Sequence, residues 1–300
     1  MYKKRVIRIG TRGSKLAIAQ SQIIAEKLEE LGWVSKLIII KTSGDSILDI
    51  PLPDIDIKGM FVSEIEEALI SNQIDIAVHS MKDLPLNMPN ILSCPIVPLR
   101  EDPRDVLVSR NGEKLSELGS SAVVGTSSIR RKMQLLDERP DLNIKNIRGN
   151  IDTRIQKLDS GQYDAICIAA AGLHRLKFEN RISEYLSPEI VMPAAGQGAL
   201  AIQIRKDDLQ LSAALEPIND NYSNISVKTE RIILETLGWG CSVPLGVLVK
   251  TNDSGIRIQA RLYSIEGKSK LYCELFGKDG AEILGKKMGN LLKRYIDANG

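Results

Sequence analysis

The sequence predicts an α/β protein: two similar α/β units followed by a small C-terminal α+β domain with a three-stranded antiparallel sheet. Short apolar runs alternate with stretches of helical period up to about residue 205. The β-α-β-α-β order restarts near residue 105. The last third then changes to two-residue alternation, Ile256, Ile258, Ala260 and Leu262 against Arg257, Gln259 and Arg261, which marks a half-buried antiparallel sheet. A chain of 300 residues, 43% hydrophobic and 26% charged, is long enough for two or three domains with real cores.

In the first unit, residues 6–9 read as a strand. Ser14 opens a helix with Ala17, Ile24, Leu28 and Leu31 on one stripe, and 37–40 is a second buried strand. Ser63 and Glu66 have the spacing of a capping box before Ile65, Ala68 and Leu69. With a strand at 74–78, this order implies a mainly parallel sheet covered by helices on both faces. Residues 98–103 link to the second unit, with strands at 105–109, 123–125, 144–147 and 165–169, and helices at 128–138 and from Asn150, as cap, to 160. Gly196 and Gly198 flank the return crossing, after which 200–204 rejoins the first unit. The tail reads as a helix (226–237), a Gly-rich loop, strands at 245–249, 256–262 and 270–276, and a closing helix (280–296). The domains expected are thus 1–99 with 196–217, 100–195, and 218–300.

Lys plus Arg is 40 and Asp plus Glu 38, a net charge of +2, which argues against a general nucleic-acid binder. An aromatic content of 4% disfavours a stacking platform for bases or sugars. No run approaches the ~18 apolar residues of a membrane span, and the basic start lacks the apolar core of a secretory signal. Cys94, Cys167, Cys241 and Cys273 are far apart and form no CxxC pair, and there are only two histidines. Free thiols in a reducing cytoplasm, with no metal site, no nucleic acid and no membrane, are the expectation.

Four segments could carry chemistry. Gly10-Thr11-Arg12-Gly13-Ser14-Lys15 joins a strand to a helix, where free N–H groups favour anions; it reads equally as a tight turn capped by Ser14. Gly125-Thr126-Ser127-Ser128-Ile129-Arg130-Arg131 puts two arginines in the first helical turn, where the macrodipole penalises each by roughly 0.3–1 kcal/mol. A bound anion would reverse that sign; a solvated pair is the alternative. Arg148, before Gly149-Asn150, repeats the pattern, with Arg154 one turn further on. His79-Ser80-Met81-Lys82-Asp83 ends a strand, and open α/β sheets bind ligands beyond their carboxyl strand ends. His79 reads as structural there, and Lys82 with Asp83 either as a surface pair or as an anion contact beside an acid/base group. Cys241, in Gly238-Trp239-Gly240-Cys241-Ser242-Val243-Pro244, sits on an adaptable loop suited to a covalent anchor, although most lone cysteines are inert.

Taken together these segments resemble the porphobilinogen deaminases, or hydroxymethylbilane synthases. The matches run in the family's order along nearly the whole chain: Thr11-Arg12 with Ser14, 58–61, 75–83, 100–105, 125–131, 148–150, 193–198 with Gln197, and Gly240-Cys241 with Val243-Pro244. The resemblance implies two domains like those of periplasmic binding proteins flanking a cleft, and a third presenting Cys241 on a loop. It implies a dipyrromethane cofactor, bound by a thioether to Cys241 and built from the enzyme's own substrate. Porphobilinogen would lose ammonia, and the azafulvenium electrophile would be attacked by the free end of the pyrrole chain. Four repetitions and hydrolysis would release linear hydroxymethylbilane.

Each pyrrole carries an acetate and a propionate, so the growing chain is a polyanion that needs cationic donors. By resemblance, Lys82, Thr126, Ser128, Arg130 and Arg131 would face the cofactor. Arg12, Ser14, Gln20, Arg148 and Arg154 would face the incoming ring, and Arg175 the chain further along. Asp83 would bind the pyrrole N–H groups, assist ammonia loss and stabilise the cation. Lys58, Gly59 and Phe61 would belong to a mobile loop over the cleft. The resemblance also implies a cytoplasmic monomer acting on a small molecule. Trp239, Ser242, Gly13 and Lys15 depart from common family choices but keep the thiol. Two rival classes compete: an anion-binding or ligand-sensing protein, which needs neither Cys241 nor Asp83, and a cysteine hydrolase, which lacks a convincing base.

Overall fold

A computed structural model of the chain describes residues 5–42, 62–238, 244–264 and 270–299. In chain order the elements are β1 (Ile7–Thr11), α1 (Lys15–Glu30), β2 (Ser35–Ile39), α2 (Ser63–Ile70), β3 (Ile76–Ser80), β4 (Leu92–Ile96) and β5 (Asp105–Ser109). There follow β6 (Val123–Gly125), α3 (Ile129–Glu138), β7 (Asn143–Lys145), α4 (Ile151–Asp159), β8 (Ala165–Ala169), α5 (Ala170–Arg175) and β9 (Glu184–Tyr185). The chain ends with β10 (Leu200–Arg205), α6 (Leu209–Leu215), α7 (Asn221–Leu237), β11 (Leu245–Asn252), β12 (Gly255–Tyr263), β13 (Lys270–Gly277) and α8 (Ala281–Asn299). The contacts divide the chain into two compact units, 1–100 with 199–224 and 101–198 with 225–300.

In the first unit a five-stranded sheet has the order β2-β1-β3-β10-β4. β1 pairs in parallel with β2 and β3, and β10 runs antiparallel to both β3 and β4. One face packs Ile7, Ile9, Ile76 and Ile202 against Ile24 and Leu28 of α1. The other packs Ala77 and Leu92 against Ile65 and Leu69 of α2. Burial on both faces is why these strands read as continuous apolar runs.

The second unit contains a sheet of the same design, β7-β6-β8-β5-β9. Its reversed strand is β5, antiparallel to β8 and β9. Side chains alternate across the pleat: Leu107, Val124 and Cys167 share one core with Leu135 of α3, and Val106, Val108, Ile166 and Ile168 share the other with Ile155 of α4. The same unit holds the antiparallel β11-β12-β13 sheet. Val247, Val249, Ile258 and Ala260 pack there against Ile233 of α7 and Leu284, Met288 and Leu292 of α8. α7 and α8 approach closely because Gly289 presents no side chain; a Cβ there would lie 2.5 Å from Thr236 Cβ.

Several local expectations need correction. The capping box does not form: Val62 is the N-cap, Ser63 Oγ donates to Glu64, and Glu66 is engaged instead by Gln203. β2 begins at Ser35, where parallel pairing with Ile7 starts. β7 stops at Lys145, since beyond it the Ile147 N–H is taken by Ser127 Oγ. Asn150 occupies the N-cap of α4 without a side-chain cap bond. The strand-like run before Pro95 is β4, which continues through the proline because an edge strand tolerates it. β9, two residues long, was absent from the sequence reading. The helices α5 and α6 had no sequence expectation, and α7 begins at Asn221 rather than 226. The expectations on Lys58, Gly59, Phe61, Trp239, Cys241 and Ser242 fall outside the described residues.

Candidate functional site

In the first unit, parallel pairing of β1 with β3 brings their carboxyl ends to one edge of the sheet. Thr11-Arg12 leaves β1, and Ser14 caps α1, its Oγ accepting the Ala17 N–H at 3.3 Å. β3 runs into a single 3-10 turn, Met81–Asp83, which leaves Lys82 half-buried and Asp83 exposed. Gln20, buried on α1, donates from Nε2 to Ser80 Oγ at 2.7 Å and ties the helix to the residue before that turn.

His79, also buried, lies 3.0 Å through Nε2 from Gln203 Oε1. Gln203 gives its amide N–H to Glu66 Oε1 at 2.7 Å, so its oxygen faces the imidazole and assigns the proton to Nε2. Burial lowers the His79 pKa to about 4; the Gln203 bond and the charge of Asp83 oppose that fall, and Arg12 adds to it. His79 is therefore neutral near pH 7 and structural, and Asp83 is the exposed carboxylate at this strand end.

In the second unit, β6 ends in buried Thr126, whose Oγ1 accepts the Ser128 N–H at 3.2 Å. Ser128 caps α3, accepting from the Arg131 N–H. Arg130 and Arg131 are both buried, and both meet one carboxylate that the sequence reading had not singled out for a role, Asp105 on β5. Arg130 Nη1 donates to Asp105 Oδ2 at 2.7 Å, and Arg131 Nη2 and Nε donate to Oδ1 at 2.7 and 2.9 Å. Burial would raise the Asp105 pKa, but the two guanidinium charges and their hydrogen bonds hold it well below the usual carboxylate range. The penalty on cations at a helix start is thus answered first from within the protein. A usable signal was present: a carboxylate opening the buried run Asp105-Val106-Leu107-Val108 requires a cationic partner.

The remaining cations differ. Arg154 Nε donates to Gly149 O at 2.8 Å, and Arg175 Nη2 to Gly198 O at 2.6 Å. Among the described residues neither forms an ion pair. Burial lowers both guanidinium pKa values to about 10; Arg131 adds to the fall at Arg154, and Glu101 offsets part of it at Arg175. Arg148 is exposed. Arg130, Arg131 and Asp105 together carry one net positive charge, and Arg154 stands within reach of Arg131's field. Half-buried cations with only neutral acceptors suit a ligand that brings several carboxylates, as a group bearing acetates and propionates does.

Among the described residues no cluster of His, Cys, Asp and Glu could hold a metal ion, and no helix is long and apolar enough to cross a membrane. Residues 7–213 match the family model described as porphobilinogen deaminase, dipyromethane cofactor binding domain, and 224–294 match the porphobilinogen deaminase C-terminal domain. A porphobilinogen deaminase of Syntrophobacter fumaroxidans is 45% identical over 289 residues, covering 95% of this chain and 92% of that protein. One from Bacillus subtilis is 45% identical over 292 residues, covering 96% and 93%. A solved periplasmic substrate-binding protein of an ABC transporter from Coxiella burnetii is 14% identical with a TM-score of 0.43, covering 73% of this chain and 94% of that one. With both family models matched in order and such relatives over nearly its full length, the chain belongs to the porphobilinogen deaminase family, transferases (hydroxymethylbilane synthases) of tetrapyrrole synthesis.

Proposed function

We propose that this chain deaminates porphobilinogen and joins four units head to tail on a dipyrromethane held by a thioether to Cys241, releasing linear hydroxymethylbilane. The observation that supports this reading is the contrast between the units: Asp83 is exposed in one, and in the other Arg154 and Arg175, among the described residues, hydrogen-bond to carbonyls and form no ion pair. The three-domain division at 99/100, 195/196 and 217/218 belongs to the same reading, supported by the separate core of the C-terminal sheet.

The residues act by charge and position. Lys82, Thr126, Ser128, Arg130 and Arg131 bind the carboxylates of the cofactor; Arg12, Ser14, Gln20, Arg148 and Arg154 bind those of the incoming ring, and Arg175 those of the lengthening chain. Asp83 accepts a hydrogen bond from the pyrrole N–H, assists the loss of ammonia from the substrate and stabilises the cation left on it. When bound, the dipyrromethane supplies the nucleophilic pyrrole carbon to which new rings are joined. Charge-balanced composition and the family's small-molecule substrate support a cytoplasmic monomer that needs neither nucleic acid nor membrane.

The test is intact mass in denaturant, because a thioether survives unfolding and reducing agents. The full chain should carry two pyrrole units, brief exposure to porphobilinogen should add a ladder of single-ring increments, and Cys241→Ser should abolish both. An active chain of unmodified mass, or an adduct on another cysteine, overturns the reading; an inactive chain of unmodified mass that binds carboxylates returns it to the anion-binding class.

A further inference from the structure

We propose that Asp105 is a positioning residue for the polyanion: its buried carboxylate fixes the two guanidiniums of α3 so that Arg130 keeps one edge for a ligand. The proposal rests on the functional reading above and concerns a residue that does not itself touch the substrate.

The geometry leaves Asp105 one arrangement. Its Oδ1 accepts from Arg131 Nε and Nη2 and from Gln197 Nε2, the last at 3.0 Å, and its Oδ2 accepts from Arg130 Nη1. Gln197 is held in turn by Pro103 O at 2.7 Å. Arg130 Nη1 also donates to Met192 O at 2.6 Å, so both of its hydrogens are used within the protein. The Met192 peptide is clamped from α3 as well, its O accepting from Gln134 Nε2 at 3.1 Å and its N–H donating to Gln134 Oε1 at 2.8 Å.

What remains on Arg130 is the Nε–Nη2 edge, the fork that meets a carboxylate with two parallel bonds. Among the described residues that edge takes part in no hydrogen bond. A free arginine side chain samples many rotamers, and two adjacent guanidiniums repel one another. One carboxylate shared between them removes both problems while leaving the trio cationic. Asp105 thus orients the binding group without neutralising it, and the ordering cost is met before the ligand arrives.

The experiment uses the full-length unloaded chain, isolated from cells unable to make porphobilinogen. The rate at which porphobilinogen adds the two-ring mass is followed by intact mass, beside the circular dichroism of each variant. Asp105→Asn should slow uptake at least about tenfold with parent-like circular dichroism, and Asp105→Glu, which keeps the charge, should recover part of that loss. Uptake by a folded Asp105→Asn within about threefold of the parent overturns the proposal, and a larger deficit upholds it. Should Asp105→Asn fail to fold, Asp105→Ala, which also lacks the carboxylate, decides by the same threshold. If neither variant folds, Asp105 belongs to the core alone and the proposal is overturned. A parent chain that takes up no rings is a different failure, that of the functional reading.

Discussion

Acid should loosen the first unit through one residue, His79, and the size of the effect follows from its surroundings. The imidazole lies in β3, opposite Ala201 of β10, and its pKa is lowered to about 4, chiefly by burial. An unfolded histidine titrates near 6.5, so between these values the unfolded chain binds more protons. Stability therefore falls as pH falls through that window and is fully present above it. The pKa difference of about 2.5 gives a loss of about 2 kcal/mol by pH 5 and about 3 kcal/mol by pH 4. The carboxylates with lowered pKa, such as Asp75 and Asp102, act below the window. Glu66, raised mainly by burial, acts with the opposite sign near the window's lower end. The assay is urea unfolding at pH 7, 6, 5 and 4.5, read by Trp33, which packs against this unit's core, with Trp239→Phe silencing the other indole. His79→Asn, which can still donate to Gln203, should flatten the profile between pH 6.5 and 4.5. An unchanged slope in that variant would refute the reasoning.

Two further outcomes are expected. Asp83→Asn keeps the shape of an exposed side chain, so a cofactor-loaded variant should fold normally and lose at least about 100-fold in turnover; near-normal steady-state turnover would remove Asp83 from the chemistry. Gly198 and Gly112 have nearly the same φ, +86° and +87°, but a Cβ at Gly198 would lie 2.3 Å from Glu101 O, whereas none of the neighbouring atoms comes within 4 Å at Gly112. Gly198→Ala should cost at least about 2 kcal/mol and Gly112→Ala about 1 kcal/mol, and equal shifts in their thermal midpoints would show that the clash is relieved.

Much of the fold was legible because burial on both faces leaves an unmistakable pattern. Ile76-Ala77-Val78 and Val106-Leu107-Val108 are apolar without interruption, and β12 alternates, because one sheet type is covered twice and the other once. What escaped depended on partners distant in sequence. The Ser63–Glu66 spacing is a sound local signal, yet Glu66 is drawn to Gln203, 137 residues away. Pro95 speaks against a strand until β4 is seen to lie at a sheet edge, where the missing N–H needs no acceptor. The same limit applies to the residues proposed to bind the ligand. Arg130 and Arg131 were visible as cations at a helix start, but their shared carboxylate lies 25 and 26 residues earlier and became a partner only once β5 had been placed beside β8.

The two five-stranded sheets share one topology, so corresponding strand ends can be compared directly. β1 and β6 both leave through a threonine, Thr11 and Thr126, to a serine N-cap, Ser14 and Ser128. After β3 the chain turns through Lys82 and Asp83; after β8, its counterpart, it enters α5 with Ala170-Ala171-Gly172, and the next charged group is Arg175. The carboxylate is therefore present at one of two equivalent positions. A polyanion is held best where cations outnumber their internal partners. In the second unit Asp105 is occupied with the two α3 arginines, and Arg154 and Arg175, among the described residues, hydrogen-bond to carbonyls and form no ion pair. One architecture used twice thus sets an exposed carboxylate, Asp83, after one strand and the uncharged run Ala170-Ala171-Gly172 after its counterpart, and the excess of cations in the second unit suits a ligand that brings carboxylates of its own.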